Sequence, residues 1–279
     1  MKPAERKDSC TEKTGKQPSR RKFLEFSAVS LSLLGLRKGN FPSPGDHASL
    51  KLKIVIAGGH PGDPEYGCGG LITRSVALGH EVVLLYLNRG EGGIEGKTGS
   101  EAAEIRTAEA MHACKLLGAR PVFASQVDGQ SIVDAAHYDE INRLLAAEKP
   151  DLVFTQWPID NHPDHRAIST LVFQAWKRLA DENQGQQPAL YYYEVSNGED
   201  TLMFSPTHYI DISEVETVKH SACYAHASQS PGTFYPLQDR VAQFRGFECG
   251  CPLAEAYIGL PRNRFDWLSA IREQAGKPA

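Results

Sequence analysis

Short apolar runs punctuate the chain at regular intervals: IVIA at 54–57, VVLLYL at 82–87 and LVF at 152–154. Runs of this length, bounded by turn residues and apolar at successive positions, predict strands covered on both faces, as in a parallel sheet. Strands are expected within KLKIVIAGG, HEVVLLYLN, ARPVFA, DLVFTQ, ALYYYEV and THYIDI. Between them PEYGCGGLITRSVALG, SEAAEIRTAEAMHACKLLG, YDEINRLLAAEKP, HRAISTLVFQAWKRLA and VETVKHSACYAHAS carry helical patterning. In the second of these, Ala103, Ala110, Ala113, Leu116 and Leu117 recur at helical spacing, and Thr98 with Glu101 forms a T-x-x-E capping box at its start. Strand and helix alternating in this way predict βαβ units: an α/β, Rossmann-like, mainly parallel sheet with helices on both faces, in a single domain spanning 50–279. The last forty residues read as irregular, with short helical pieces.

Residues 1–49 have a different character. The first 40 hold ten Lys/Arg against four Asp/Glu, a net +6, whereas the whole chain is -4. SRRKFL (19–24) sets paired arginines before the apolar stretch FLEFSAVSLSLLGL, too short for a stable membrane span. The layout predicts a twin-arginine-type export signal and a Pro/Gly/Ser linker, FPSPGDHAS, with the product in the periplasm or outside the cell. The net negative charge argues against a nucleic-acid surface, and a mean hydropathy of -0.37 excludes a bundle of membrane helices. The six cysteines are scattered, with no C-x-x-C pair, and read mostly as small buried apolar residues.

In a parallel sheet the binding crevice lies outside the carboxyl ends of the strands. Two polar clusters fall there: HPGDPE follows the first strand, and QWPIDNHPDHRA begins at the end of DLVFTQ. His60 and Asp63 are three apart on a turn stiffened by Pro61 and Pro64, and His162 and His165 repeat the spacing across Pro163 and Asp164. Nitrogen and oxygen donors without cysteine suit zinc or another divalent cation, and three protein ligands with one open position form a catalytic rather than a structural site.

These residues resemble the PIG-L/LmbE-like zinc-dependent de-N-acetylases. GGHPGDPE is similar to that family's A-H-P-D-D-E motif, and HPDHRA to its H-P-D-H motif. EIRTAEAMHACKLLG, KHSACYAHASQS and RGFECGCPLAEAYI resemble three further segments, so the likeness runs from about Lys51 to Ile258. It implies an exported hydrolase removing acetyl from an N-acetylated sugar or related amide. By the same resemblance His60, Asp63 and His165 would bind zinc, and His162 would face the substrate oxygen with Asp164 orienting it. Arg106 would contact substrate. The resemblance implies a small-molecule or glycan substrate and is compatible with a homo-oligomer.

One position departs from the pattern. Where the family carries an aspartate that acts as general base, this chain has Gly62. Three accounts follow: another acid, with Glu65, Asp160 or Glu194 as candidates, takes the role; His162 serves as both base and acid; or the protein is a metal-containing carbohydrate-binding protein with weak or no catalysis. Trp157, Tyr192 and Tyr235 are candidates for stacking on a sugar, with core packing as the competing role. The loop RGEGGIEGKTG is expected to form a rim over the site.

Overall fold

Alternate residues of each central strand feed opposite faces of one sheet. In β1 (Lys53–Gly58), Ile54 and Ile56 enter one apolar cluster while Val55 and Ala57 enter the other. β2 (Glu81–Tyr86) divides the same way, with Val82, Leu84 and Tyr86 against Val83 and Leu85. This two-residue period is that of the pleat, and it explains the unbroken apolar runs: neither face meets water.

A computed structural model of the protein describes residues 51–182, 187–195 and 201–261, with 263, 268 and 271. The expected signal and linker at 1–49, with Cys10, lie outside the described residues. The remaining elements are α1 (Asp63–Ala77), α2 (Gly99–Leu117), β3 (Arg120–Phe123), α3 (Ala135–Glu148), β4 (Leu152–Gln156), α4 (Pro163–Glu182), β5 (Ala189–Tyr193), β6 (His208–Asp211), α5 (Glu216–Tyr224), α6 (Pro231–Cys249) and β7 (Ala254–Gly259). The sheet order is β3-β2-β1-β4-β5-β7-β6, parallel from β3 to β5. One face is covered by α1, α2, α5 and α6, through residues such as Leu71, Ala113, Ala222 and Ala242. The other is covered by α3 and α4, through Ile141, Leu145, Leu171 and Trp176.

The expected fold class is therefore present, with two corrections. The tail read as irregular contains the end of the 19-residue α6 and the strand β7, which runs antiparallel to both β5 and β6. On α2 the buried face is Ala102, Arg106, Ala110, Ala113, Cys114 and Leu117; Leu116 is exposed and Ala103 only half-buried. The capping box forms as expected: the Glu101 amide donates to Thr98 Oγ1, and Glu101 Oε2 accepts from the Thr98 amide. Among the described residues no helix is long and apolar enough to cross a membrane.

Pairing of Gly58 with Tyr86, Ala57 with Thr155 and Tyr86 with Phe123 aligns the carboxyl ends of β1, β2, β3 and β4. Strand order reverses at β1, whose neighbours are β2 and β4, so the loops after these strands open into a crevice at that edge.

Candidate active site

The loop after β1 holds His60. The Gly59 amide donates to Gln156 Oε1 at the end of β4, tying this loop to the strand that leads to His162 and His165. Two residues on, Gly62 has φ 111°, a left-handed conformation open to glycine and costly for other residues, and α1 begins at once with Asp63. Asp63 Oδ2 accepts from the His60 amide at 2.7 Å and lies 3.2 Å from His60 Nδ1 and 3.3 Å from His165 Nε2. Histidines 105 positions apart in the chain are thus brought to one carboxylate oxygen.

The outer nitrogen of each histidine is held by acids. His60 Nε2 is 3.1 Å from Asp164 Oδ2 and 3.2 Å from Asp128 Oδ1, and His165 Nδ1 is 3.0 Å from Asp160 Oδ1. Carboxylates behind the ring fix each imidazole and raise the basicity of the nitrogen that faces inward, the arrangement typical of metal-binding histidines. Burial disfavours the His165 cation, but Asp63 and Asp160 outweigh it and lift its pKa to about 9. For His60 too, burial is overcome by Asp63, Asp128 and Asp164, and the pKa stands well above the ordinary value. Asp63 is held well below the usual carboxylate range because the charges of His165 and His60 prevail over its burial.

Two donor sets lie within 4.8 Å: His60, His162 and His165, and His60, Asp128 and Asp164. In the second, Asp164 Oδ2 already accepts from Asn88 Nδ2 and from the Gly129 amide as well as facing His60, so it serves as a hydrogen-bond hub joining the loops after β2 and β3. The inward nitrogens of His60 and His165, with Asp63, fit a divalent cation better: their donor types suit zinc, and their outer atoms are satisfied.

Several residues stand elsewhere than the resemblance implies. The Asp164 carboxylate holds His60, and it is its backbone amide that donates to His162 Nδ1, at 3.2 Å. His162 therefore carries its proton on Nε2 when neutral. Burial, followed by the neighbouring His60 and His165 charges, lowers its pKa. Glu65 is fully buried behind the crevice, where Oε1 accepts from the Tyr86 hydroxyl at 2.7 Å and lies 3.0 Å from His226 Nε2. Asp160 bonds His165, the His162 amide and Thr201, and Glu194 forms a two-bonded pair with Arg245 at 2.6 and 2.9 Å. None of these three acids lines the cavity.

Arg106 does line it. Only 4% exposed, it donates from Nη2 to Pro61 O, and the glycine loop closes over it: a Cβ at Gly93 would collide with its guanidinium. Glu109, three residues on along α2, accepts from the Ser228 amide and hydroxyl. The cavity, of about 390 Å³, is bounded by Gly92 and Gly93 on that loop, and by Tyr66, Val195, Phe234 and Gln238 on its outer wall. Its aromatic residues are thus Tyr66 and Phe234. Trp157, Tyr192 and Tyr235 do not line it; Tyr192 and Tyr235 are buried, and Trp157 packs edge-on against Tyr192. Asp128 and Asn88 are site residues that the motifs did not reveal; His226 lies within KHSACYAHASQS, a segment noted for its resemblance without a role for this histidine.

Comparison with known proteins agrees with this geometry. Residues 55–176, which include His60, Asp63, Arg106, His162 and His165, match the family described as PIG-L, GlcNAc-PI de-N-acetylase. The matched segment is similar to a PIG-L domain. It is 28% identical over 231 residues to diacetylchitobiose deacetylase of Thermococcus kodakarensis, covering 75% of this chain and 83% of that protein. A probable N-acetyl-alpha-D-glucosaminyl L-malate deacetylase 2 of Bacillus subtilis is 25% identical over 206 residues, covering 69% of this chain and 90% of its own length. Among solved structures, N,N'-diacetylchitobiose deacetylase from Pyrococcus horikoshii superposes with a TM-score of 0.65 at 25% identity, covering 75% of this chain and 84% of that chain.

Proposed function

We propose that this protein is a divalent-metal-dependent hydrolase that removes acetyl from an N-acetylated sugar, releasing acetate and a free amine. The observation that carries the reading is the convergence of His60 Nδ1, Asp63 Oδ2 and His165 Nε2, each histidine backed by a carboxylate, beside a cavity of sugar-accommodating size. The PIG-L-like segment and the chain's sugar-deacetylating relatives support the substrate class.

His60, Asp63 and His165 would hold the cation, zinc in the first instance. Bound there, it supplies Lewis acidity to an amide carbonyl and makes water a stronger acid. The chain's own groups do the rest. His162, protonated on Nε2, donates to the carbonyl oxygen as negative charge develops on it, a stabilisation that grows toward the transition state. Arg106, fixed by Pro61 O and packed under the glycine loop, presents its remaining N–H groups to substrate hydroxyl or carboxylate oxygens. Tyr66 and Phe234 offer apolar faces on which a sugar ring can rest. Export through the twin-arginine-type segment at 1–49 belongs to the same proposal; Arg20→Lys with Arg21→Lys would retain the protein in the cytoplasm if it holds.

The test is metal analysis of the native protein together with an acetate-release assay on N-acetylglucosamine conjugates. Stoichiometric zinc and acetate release are expected, and His165→Ala should lose both. Zinc without acetate release would instead favour a metal-containing carbohydrate-binding protein.

A further inference from the structure

Hydrolysis requires a proton acceptor, and Gly62 provides none. The acids offered by the sequence are committed elsewhere: Glu65 to Tyr86 and His226, Asp160 to His165 and the His162 amide, Glu194 to Arg245. His162 receives the Asp164 amide on Nδ1, so its lone pair is taken and it faces substrate as a donor. Asp128 is held by His60 through Oδ1 and by the Gly92 amide through Oδ2. Among the histidines lining the cavity outside the proposed metal set, His226 has a buried ring nitrogen, Nδ1, with no hydrogen-bond partner among the described residues.

His226 follows α5 and is 1% exposed. A Cβ built on Gly62 would stand 3.8 Å from its Cγ and Cδ2 and 3.9 Å from its Nε2, so this ring occupies the ground over position 62. Its Nε2 lies 3.0 Å from Glu65 Oε1, an oxygen that also accepts the Tyr86 hydroxyl. With Glu65 Oε1 accepting at Nε2, the His226 proton sits on that nitrogen and Nδ1 keeps a bare lone pair. Among the described residues that Nδ1 has no hydrogen-bond partner, although it is buried, and buried polar atoms are as a rule paired. An imidazole oriented by a buried carboxylate, with its second nitrogen free, is the arrangement by which side chains accept protons in hydrolysis.

We propose that His226, oriented by Glu65 and Tyr86, is the general base of the reaction and does the work that an acid at position 62 would otherwise do. The inference rests on the hydrolase reading. In the first half-reaction the water oxygen bonds to the amide carbonyl carbon, the carbonyl π pair moves onto its oxygen beside His162 Nε2–H, and the water proton passes to His226 Nδ1. In the second, the carbonyl re-forms, the C–N bond breaks with its electron pair going to nitrogen, and the proton on His226 passes to the departing amine. Acetic acid, which gives up its remaining proton to solvent as acetate, and the amine leave, and His226 returns to its neutral form.

The test uses the full-length zinc-loaded protein with N,N'-diacetylchitobiose and N-acetylglucosamine as probes. His226→Ala and His226→Asn should each lower kcat by about 10²- to 10⁴-fold while KM and bound zinc stay at native levels. Added imidazole should restore part of the rate in the alanine variant, where it finds space, and not in the asparagine variant. Independently of activity, ¹⁵N NMR of the native protein should show His226 protonated on Nε2 and bare on Nδ1. Native-level turnover in both variants, or a proton on Nδ1, would overturn the role of His226 and leave the hydrolase standing. Absence of acetate release from the native protein would overturn the hydrolase reading and the inference with it.

Discussion

Helix α1 touches two buried ionic clusters, and they differ in what they leave undone. At its middle, Glu255 accepts from the Gly70 and Leu71 amides, from Tyr257 Oη and from Lys219 Nζ at 2.7 Å, and Lys219 and Glu255 are 1% and 4% exposed. At its amino end, Asp63, His60 and His165 crowd together while Asp164 Oδ1, Glu65 Oε2 and His226 Nδ1 have no partner among the described residues. The first cluster is complete within the chain, with two backbone amides, a hydroxyl and an ammonium around one carboxylate. The second leaves three buried polar atoms without a hydrogen-bond partner among the described residues. Burial alone does not mark chemistry; a buried group whose bonding is unfinished does.

The comparison is broken most severely at His165. His165→Ala removes a donor from the second cluster and should abolish stoichiometric zinc and measurable acetate release, while the thermal transition of the metal-free protein changes far less than its metal content. Next, Lys219→Met leaves Glu255 buried without its cation and should cost about 3–5 kcal/mol of stability in denaturant unfolding. Zinc stoichiometry of the folded fraction should be unaffected, because this pair is structural. A smaller effect is expected from Asp160→Asn and Asp164→Asn, which alter the groups behind His165 and His60. Each should weaken zinc about 10- to 100-fold by competitive chelator titration, without removing the site.

A further test is pH dependence. His165 is raised from 6.5 to about 9, so in the metal-free protein its contribution to stability is fully present below pH 6.5 and is lost as pH rises through about 9. The metal-free transition temperature should therefore fall over that window. Zinc needs the unprotonated ring, so the stabilisation on adding zinc should grow over the same window. A transition temperature of the metal-free protein that is flat from pH 6.5 to 9 would contradict the pairing of His165 with Asp63 and Asp160.

Much of this was legible in the sequence, for definite reasons. Strands apolar on both faces leave few architectures, and the rule that ligands gather at the carboxyl ends of parallel strands placed HPGDPE and HPDH at one edge. The tail misled because α6 contains Gly232, Pro236 and Gly246, and β7 buries a glutamate whose lysine partner is 36 residues away. Glu65 lies behind the crevice because residues two apart on a helix point about 200° away from each other, so with Asp63 facing the crevice Glu65 turns inward. Asp128 follows β3 at the same sheet edge, and the strand-end rule applied there would have found it. His226 stood in a segment noted for its resemblance, KHSACYAHASQS, but its place over Gly62 depends on a tertiary contact across 164 residues that no local pattern shows.

Anomalous diffraction at the zinc edge, from crystals of the native protein grown with zinc, bears most directly on this account. A single peak about 2.0–2.2 Å from His60 Nδ1, an Asp63 carboxylate oxygen and His165 Nε2 is predicted. A peak between His60 Nε2, Asp128 and Asp164, or no peak near His60 at all, would contradict it.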